Sequence, residues 1–162
     1  MNYNNKSEIL KRANFLLKDA VKNRESLFHT PIISTFADQN ISSRVMVLRD
    51  HNASQRTIRF HSDFRSDKVQ ELIDNPKTSI IGYDPALKTQ IRLIGRSTIN
   101  HQNKKSLKAW NESQAISKKC YSVKDGSSQK AKKPEIYDLS LIHISEPTRR
   151  TPMSYAVFCL KK

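Results

Sequence analysis

Apolar residues recur along this 162-residue chain with two spacings, one typical of helices and one typical of strands. After Ser7 they fall three and four residues apart as far as about Asn23, which predicts an amphipathic first helix capped by Ser7. From Pro31 onward the apolar runs are short and bounded by polar loops. These runs predict five strands, at about residues 32–37, 44–49, 57–62, 78–83 and 89–99.

The links between these strands decide the fold class. Most are too short for the crossover that parallel strands need, so the sheet is predicted to be mainly antiparallel. Such a sheet tends to curl into a barrel because a stable domain leaves few strand edges exposed. Two helices flank it: a short one capped by Ser66, and one over residues 101–116 anchored by Leu107 and Trp110. The predicted fold class is therefore mainly β with flanking helices.

Charge and composition narrow the range of partners. The net charge is +14, but the basic residues are spread from Lys6 to Lys162 with one dense run, Lys130-Ala-Lys-Lys133. This distribution predicts a solvated basic surface and no specific nucleic-acid site. No apolar run is long enough to span a membrane, and a signal peptide is not expected. With Cys120 and Cys159 as the two cysteines, a disulfide framework is not expected and the cytoplasm is the expected location.

The glycines restrict how a phosphate could be bound. Gly82, Gly95 and Gly126 are isolated from one another, so neither a P-loop nor a Rossmann turn can form. A phosphate must then be held by side chains and a helix N-terminus. The helix start at Ser66, flanked by basic residues, has both features. The histidines show no ligand spacing, so no metal site is predicted.

Four segments carry a family resemblance in their order along the chain. Arg44-Val-Met-Val-Leu-Arg49 is similar to R-x-V-L-L-K, and Phe60-His-Ser-Asp-Phe-Arg-Ser-Asp-Lys68 to F-Y-T-N-x-x-S-R-K. Leu72-Ile-Asp-Asn-Pro76 is similar to L-x-x-N-P, and Gln90-Ile-Arg-Leu-Ile-Gly95 to Q-V-R-V-x-G. Over about residues 32–121 the chain thus resembles the pyridoxamine 5′-phosphate oxidase-like family of FMN-binding split barrels. The form of the middle motif is similar to that of the smaller relatives of uncertain substrate. The resemblance implies an antiparallel split β-barrel with FMN as cofactor.

The resemblance also implies a phosphate-binding set. Arg44 and Lys68 would hold the FMN phosphate, and Ser66 would add a hydroxyl donor. Asp67 stands where the family often has Arg, and Arg65 two positions earlier is expected to supply that charge.

Other positions are implied to contact the flavin ring or the substrate. Arg49 stands where the family has a Lys near flavin and substrate, which makes it the candidate catalytic residue. His61 and Ser62 stand where the family has Tyr-Thr, and Ser62 keeps the hydroxyl of the Thr. The positions implied at the ring system are Val45, Met46, His61, Ser62 and Gln90.

The resemblance implies a flavin-dependent oxidoreductase that acts on a small molecule, with pyridoxamine 5′-phosphate as one candidate substrate. Two alternatives remain open: a non-catalytic flavin-binding or redox-sensing module, and a basic nucleic-acid-binding β-barrel. The predicted sheet argues against a nucleic-acid-binding barrel because it offers only two mid-sheet aromatic residues, Phe60 and Tyr83, for stacking on bases. A homodimer is implied as well, with the faces of Ile91, Leu93 and Val47 as candidate interfaces.

The last residues of the chain resemble translated sequencing adapter and not natural protein sequence. Residues 139–149 resemble the translated end of a transposase-type sequencing adapter, and residues 154–160 its flow-cell end, in order and in register. Met153 departs from the expected Ile. The alternative is a natural pair of C-terminal strands. We therefore predict an FMN-binding domain over residues 1–137 that lacks its natural C-terminus, followed by an artefactual tail over residues 138–162.

Overall fold

The structure is a computed structural model that describes residues 5–119, residue 121 and residues 155–161. The described helices are α1 (Lys6–Ala20), α2 (Asp67–Asp74), α3 (Lys104–Glu112) and α4 (Ala115–Lys119). The described strands are β1 (Ile32–Ala37), β2 (Asn40–Val45), β3 (Leu48–Asn52), β4 (Thr57–Asp63), β5 (Lys77–Asp84), β6 (Thr89–His101) and β7 (Tyr155–Lys161). Within these ranges, no helix combines the length and the apolar character that crossing a membrane requires.

The strands form one sheet in which every pairing is antiparallel, in the order β2-β1-β5-β6-β7-β4-β3. Its outermost strands, β2 and β3, are consecutive in the chain and are separated only by Met46 and Val47. The sheet must therefore curl until its two edges approach each other. Backbone hydrogen bonds from Met46 N to Pro31 O (3.1 Å) and from Leu48 N to His29 O (2.8 Å) hold this crossing in place. The antiparallel barrel predicted from the link lengths is confirmed.

The interior of the barrel is apolar, and α1 closes one side of it. Phe28, Ile33, Leu48 and Phe60 are fully buried. Leu16, Leu17 and Ala20 from the apolar stripe of α1 pack into the same core. The close approach of β5 to this core requires a glycine, because a Cβ on Gly82 would lie 2.8 Å from Phe28 Cδ1.

Several predicted element limits differ from the structure. The run 44–49 is divided between β2 and β3, since the chain crosses at Met46–Val47 from one sheet edge to the other. The first helix is capped by Asn5, whose side chain accepts from Ser7 N, so Ser7 lies inside the helix. The helix over 101–116 is two helices that separate after Glu112, and Leu107 is 40% exposed where an anchor was predicted.

The predicted dimer faces also need correction. Ile91 belongs to the buried core, Leu93 packs against that core, and Val47 is half-buried at the crossing. Ile91 and Leu93 therefore stabilise the barrel itself, while Val47 lines a cavity.

The backbone of Tyr155–Lys161 forms β7, which pairs with both β4 and β6. This strand falls within the adapter-like tail. The other adapter-like stretch, residues 139–149, lies outside the described residues, as does Cys120. The domain limit at residue 137 stays a prediction.

Candidate functional site

A cavity of about 530 Å³ opens where the chain crosses between β2 and β3, beside the end of β4 and the first turns of α2. We call it the crossover cavity. Its volume is in the usual range of small-molecule and cofactor sites. Seven of the predicted site residues line it: Arg44, Val45, Met46, Arg49, His61, Ser62 and Lys68. Residues more than twenty positions apart in sequence thus meet at one site.

Three other predicted residues do not line this cavity. The guanidinium of Arg65 pairs with the buried carboxylate of Asp63, with Nη2 at 2.8 Å from Oδ2. Ser66 is buried and is the N-cap residue of α2, as predicted, but its hydroxyl donates to Asp63 O at 2.6 Å and accepts no backbone N–H of the helix. Gln90 is exposed on β6, opposite Tyr83 of β5. The structure therefore separates Gln90 from the predicted set, and gives Arg65 and Ser66 a role at the edge of the site.

Arg44 is held in a network of side chains from three other positions in the chain, Thr35, Ser42 and Glu71. Its Nη2 lies 2.7 Å from Glu71 Oε2, in an ion pair whose side chains are 19% and 12% exposed. Its Nη1 donates to Thr35 Oγ1 at 2.5 Å, its Nη2 also donates to Ser42 Oγ, and Thr35 donates in turn to Glu71 Oε2. These contacts fix the guanidinium at the cavity wall. The sequence alone does not single out these partners from the other polar residues, because Thr35 and Glu71 lie on other elements.

Lys68 brings a second cation to the same wall from the first turn of α2. Burial and the neighbouring Arg44 guanidinium lower the pKa of its ammonium group, while the carboxylates of Asp63, Glu71 and Asp67 act in the opposite direction. A buried cation with a depressed pKa gains from any further negative charge beside it. This corner of the cavity is therefore suited to an anion.

His61 supplies a neutral wall between cationic side chains. Burial, together with the positive charges of Arg59 and Arg49, lowers the pKa of its imidazole to about 3. The ring is consequently uncharged at neutral pH and can pack against an aromatic ligand without adding charge.

The donors in the crossover cavity fit a ligand that ends in phosphate. Arg44 and Lys68 supply charge, and Ser62, Val45 and Met46 line the cavity beside them. Of the lining carboxylates, Asp63 is paired with Arg65 and Glu71 with Arg44, which reduces the repulsion that a phosphate would meet.

A second cavity of about 410 Å³ adjoins the first, and Arg49 and His61 line both. The side chains of Lys22, Arg24 and Arg59 also line it, so we call it the arginine cavity. Sequence reasoning missed it because its walls come from the end of α1, from β4 and from the end of α3. Within the described residues, no group of histidine, cysteine, aspartate and glutamate side chains could hold a metal ion.

Comparison with known proteins identifies the domain type. Residues 12–101 match the family profile described as pyridoxamine 5′-phosphate oxidase, FMN-binding domain. None of the curated protein sequences matches the chain.

Solved structures share its fold at low sequence identity. A pyridoxamine 5′-phosphate oxidase-related, FMN-binding protein from Nostoc punctiforme PCC 73102 is similar, with a TM-score of 0.67 at 18% identity, over 96% of this chain and 79% of its own. PhzG from Burkholderia lata 383, in complex with tetrahydrophenazine-1-carboxylic acid, gives a TM-score of 0.67 at 19% identity, with coverages of 96% and 75%. A Clostridium acetobutylicum protein related to general stress protein 26 gives a TM-score of 0.61 at 13% identity, over 97% of this chain and 85% of its own. The predicted split barrel is confirmed by these neighbours.

Proposed function

We propose that this chain, which belongs to the pyridoxamine 5′-phosphate oxidase family of FMN-binding domains, is a flavin-dependent oxidoreductase that acts on a small molecule. One observation carries the proposal: Arg44 and Lys68 lie close together in the lining of the crossover cavity, beside Val45 and Met46 at the β2–β3 crossing. This is the arrangement that a ligand with a phosphate at one end and a planar ring at the other requires.

The residues of the cavity have distinct roles in this proposal. Arg44, fixed by Glu71 and Thr35, and Lys68 bind the phosphate of FMN, with the Ser62 hydroxyl as a further donor. The backbone of Val45–Met46 and the neutral ring of His61 line the isoalloxazine. Bound FMN supplies two-electron redox chemistry, while the protein binds and orients the reactants.

Arg49 is proposed to contact the substrate. It lines both the crossover cavity and the arginine cavity, so its guanidinium stands between the flavin site and the adjoining space. The ligand of PhzG, a heteroaromatic carboxylic acid, supports the idea that a fold of this kind admits a small molecule.

The alternative of a nucleic-acid-binding barrel loses support from the burial of Phe60. That ring is fully enclosed in the core and cannot stack on a base, which leaves Tyr83 of the two predicted aromatic candidates.

The first test is an absorbance spectrum of the purified protein after gel filtration. A flavin band that co-elutes with the protein supports the proposal, whereas a protein free of flavin that also fails to bind added FMN contradicts it. Turnover is then measured as oxygen consumption with pyridoxamine 5′-phosphate and with other small reductants. Stable flavin binding without turnover on any of them would favour the non-catalytic, redox-sensing alternative.

We also infer a homodimer, from an apolar outer face of the sheet. Ile32, Val45 and Ile94 project from this face and are 43%, 63% and 62% exposed. Ile32 and Val45 are direct cross-strand partners. Because Val45 also lines the crossover cavity, a second copy on this face would lie beside the flavin site. Sedimentation of the flavin-bound protein as a monomer at micromolar concentration would contradict the inference. The expected location of such a protein is the cytoplasm.

A further inference from the structure

The charged side chains that line the crossover cavity balance one another. Three cations face three carboxylates in its lining: Arg44, Arg49 and Lys68 against Asp63, Asp67 and Glu71. His61, which also lines it, is held neutral by its pKa of about 3. The lining therefore offers a ligand no excess of positive charge, although the chain as a whole carries +14. A doubly charged phosphate is held best where cations outnumber carboxylates.

Asp67 is the lining carboxylate that forms no ion pair within the described residues. Asp63 lies 2.8 Å from Arg65, and Glu71 lies 2.7 Å from Arg44. Asp67 is exposed, so no other side chain fixes or covers its carboxylate. Its negative charge therefore acts on whatever ligand occupies the cavity.

Asp67 also lies next to a cation that the phosphate needs. It is the first residue of α2, directly before Lys68, and its charge raises the Lys68 pKa against the larger effect of burial. A carboxylate in the first turn of a helix is stabilised by the helix dipole, which favours Asp67 at this position. The same dipole and the same ammonium group would attract a phosphate. The Asp67 carboxylate therefore competes with a phosphate for both.

We propose that Asp67 is a specificity-determining residue of the crossover cavity, which selects flavins by the charge of their phosphate group. This rests on the proposed function, because it assigns a role within the FMN site. Repulsion between the carboxylate and a phosphate grows in proportion to the phosphate charge. A phosphate diester carries one negative charge, so it is repelled about half as strongly as the doubly charged phosphate of FMN. FMN is consequently held less tightly than the two cations would allow, and a flavin with a singly charged phosphate is favoured relative to it.

The test is a fluorescence titration at about pH 8, where the phosphate of FMN is doubly charged. The ligands are FMN, its phosphate methyl ester and riboflavin, which form a series of decreasing charge. They are titrated against full-length wild type, Asp67→Asn and Asp74→Asn. Asp67→Asn is expected to tighten FMN by about tenfold and the methyl ester by about threefold, and to leave riboflavin unchanged. Asp74→Asn changes the net charge equally at the exposed far end of α2, outside the cavity lining, and should bind all three ligands as wild type does.

Urea unfolding of the flavin-free proteins separates this role from a structural one. Lower stability of Asp67→Asn with an unchanged order and spacing of the three affinities would assign Asp67 to the helix dipole alone and overturn the proposal. An equal gain for all three flavins would also overturn it, because riboflavin has no phosphate to repel. An equal gain in Asp74→Asn would trace the effect to the net charge of the chain. Failure of all three proteins to bind any flavin is a different result, since it would overturn the flavin site itself and the selectivity with it.

Discussion

The guanidinium of Arg44 lies 2.7 Å from the carboxylate of Glu71, at the wall of the crossover cavity. The two residues belong to β2 and α2, and Thr35 of β1 joins them by hydrogen bonds to both. The ion pair thus has two effects. It fixes the orientation of a phosphate-binding arginine, and it leaves a negative charge close to where the phosphate would lie.

The first prediction separates these two effects with Glu71→Gln. The amide can still accept from Arg44 and Thr35, but the negative charge is gone. We expect FMN to bind several-fold more tightly because a repulsive charge has been removed, and the flavin-free protein to lose roughly 1–3 kcal/mol of stability. Fluorescence titration and urea unfolding measure the two quantities. Glu25→Gln, at an exposed position, is the control, and weaker FMN binding in Glu71→Gln would show that orientation of Arg44 outweighs repulsion.

The second prediction concerns pH and His61. Its pKa is about 3 in the folded protein against 6.5 in the unfolded chain. Above pH 6.5 the ring is neutral in both states and contributes nothing. As the pH falls from 6.5 toward 3, the unfolded chain takes up a proton that the folded protein does not, so stability is lost. The loss is on the order of 5 kcal/mol at its full extent.

His61→Gln should therefore flatten the pH dependence of stability in this window relative to wild type. Urea unfolding of the flavin-free proteins across the window measures it. Parallel curves for the two proteins would show that the imidazole is not held neutral by the fold.

The third prediction concerns Arg49, which lines both cavities. If it binds substrate, Arg49→Ala should reduce turnover by about tenfold to a hundredfold, through loss of a charge-assisted hydrogen bond, with much less effect on FMN retention. Arg96→Ala, at an exposed position on β6, is the control and should change neither turnover nor FMN retention. An equal loss of turnover and FMN retention would reassign Arg49 to cofactor binding.

Local patterns predicted the elements well. The alternation around Phe60 placed β4 over residues 57–62, and the structure has it over Thr57–Asp63. The division of 44–49 into two strands was not predictable in the same way. No glycine or proline marks it, and it follows from closure of the sheet, which depends on every other strand.

The candidate site was also predictable only in part, because some of its contacts join residues on distant elements. The resemblance brought Arg44 and Lys68 together, and the structure places both in one cavity. The contact of Arg44 with Glu71 joins residues 27 positions apart. The arginine cavity likewise depends on packing of three separate elements. Neither the Arg44–Glu71 contact nor the packing that forms the arginine cavity leaves a periodic signal along the chain.

The fourth prediction concerns the tail. If residues 139–162 are adapter-derived, a chain that ends at Tyr137 should be no less stable than the full chain, because those residues were never selected to pack. The pairing of Tyr155–Lys161 with both β4 and β6 makes this a demanding test, since truncation removes those backbone hydrogen bonds. Urea unfolding of both chains measures it. A loss of several kcal/mol would contradict the adapter interpretation, and resequencing of the source locus checks the origin directly.

The central claim is that the crossover cavity binds FMN through its phosphate, with Lys68 as one of the two cations involved. Riboflavin lacks that phosphate and is therefore the matched ligand. Lys77, exposed at the start of β5 and absent from the cavity lining, is the matched residue.

The most direct measurement is a fluorescence titration of FMN and riboflavin against wild type, Lys68→Ala and Lys77→Ala. Lys68→Ala is expected to weaken FMN by roughly 1.5–3 kcal/mol, or about tenfold to a hundredfold, through loss of charge-assisted hydrogen bonds. Riboflavin should bind all three proteins about equally, and more weakly than FMN binds wild type. If Lys68→Ala weakens riboflavin as much as FMN, or if Lys77→Ala weakens FMN as much as Lys68→Ala does, the phosphate does not bind at Lys68 and the account is contradicted.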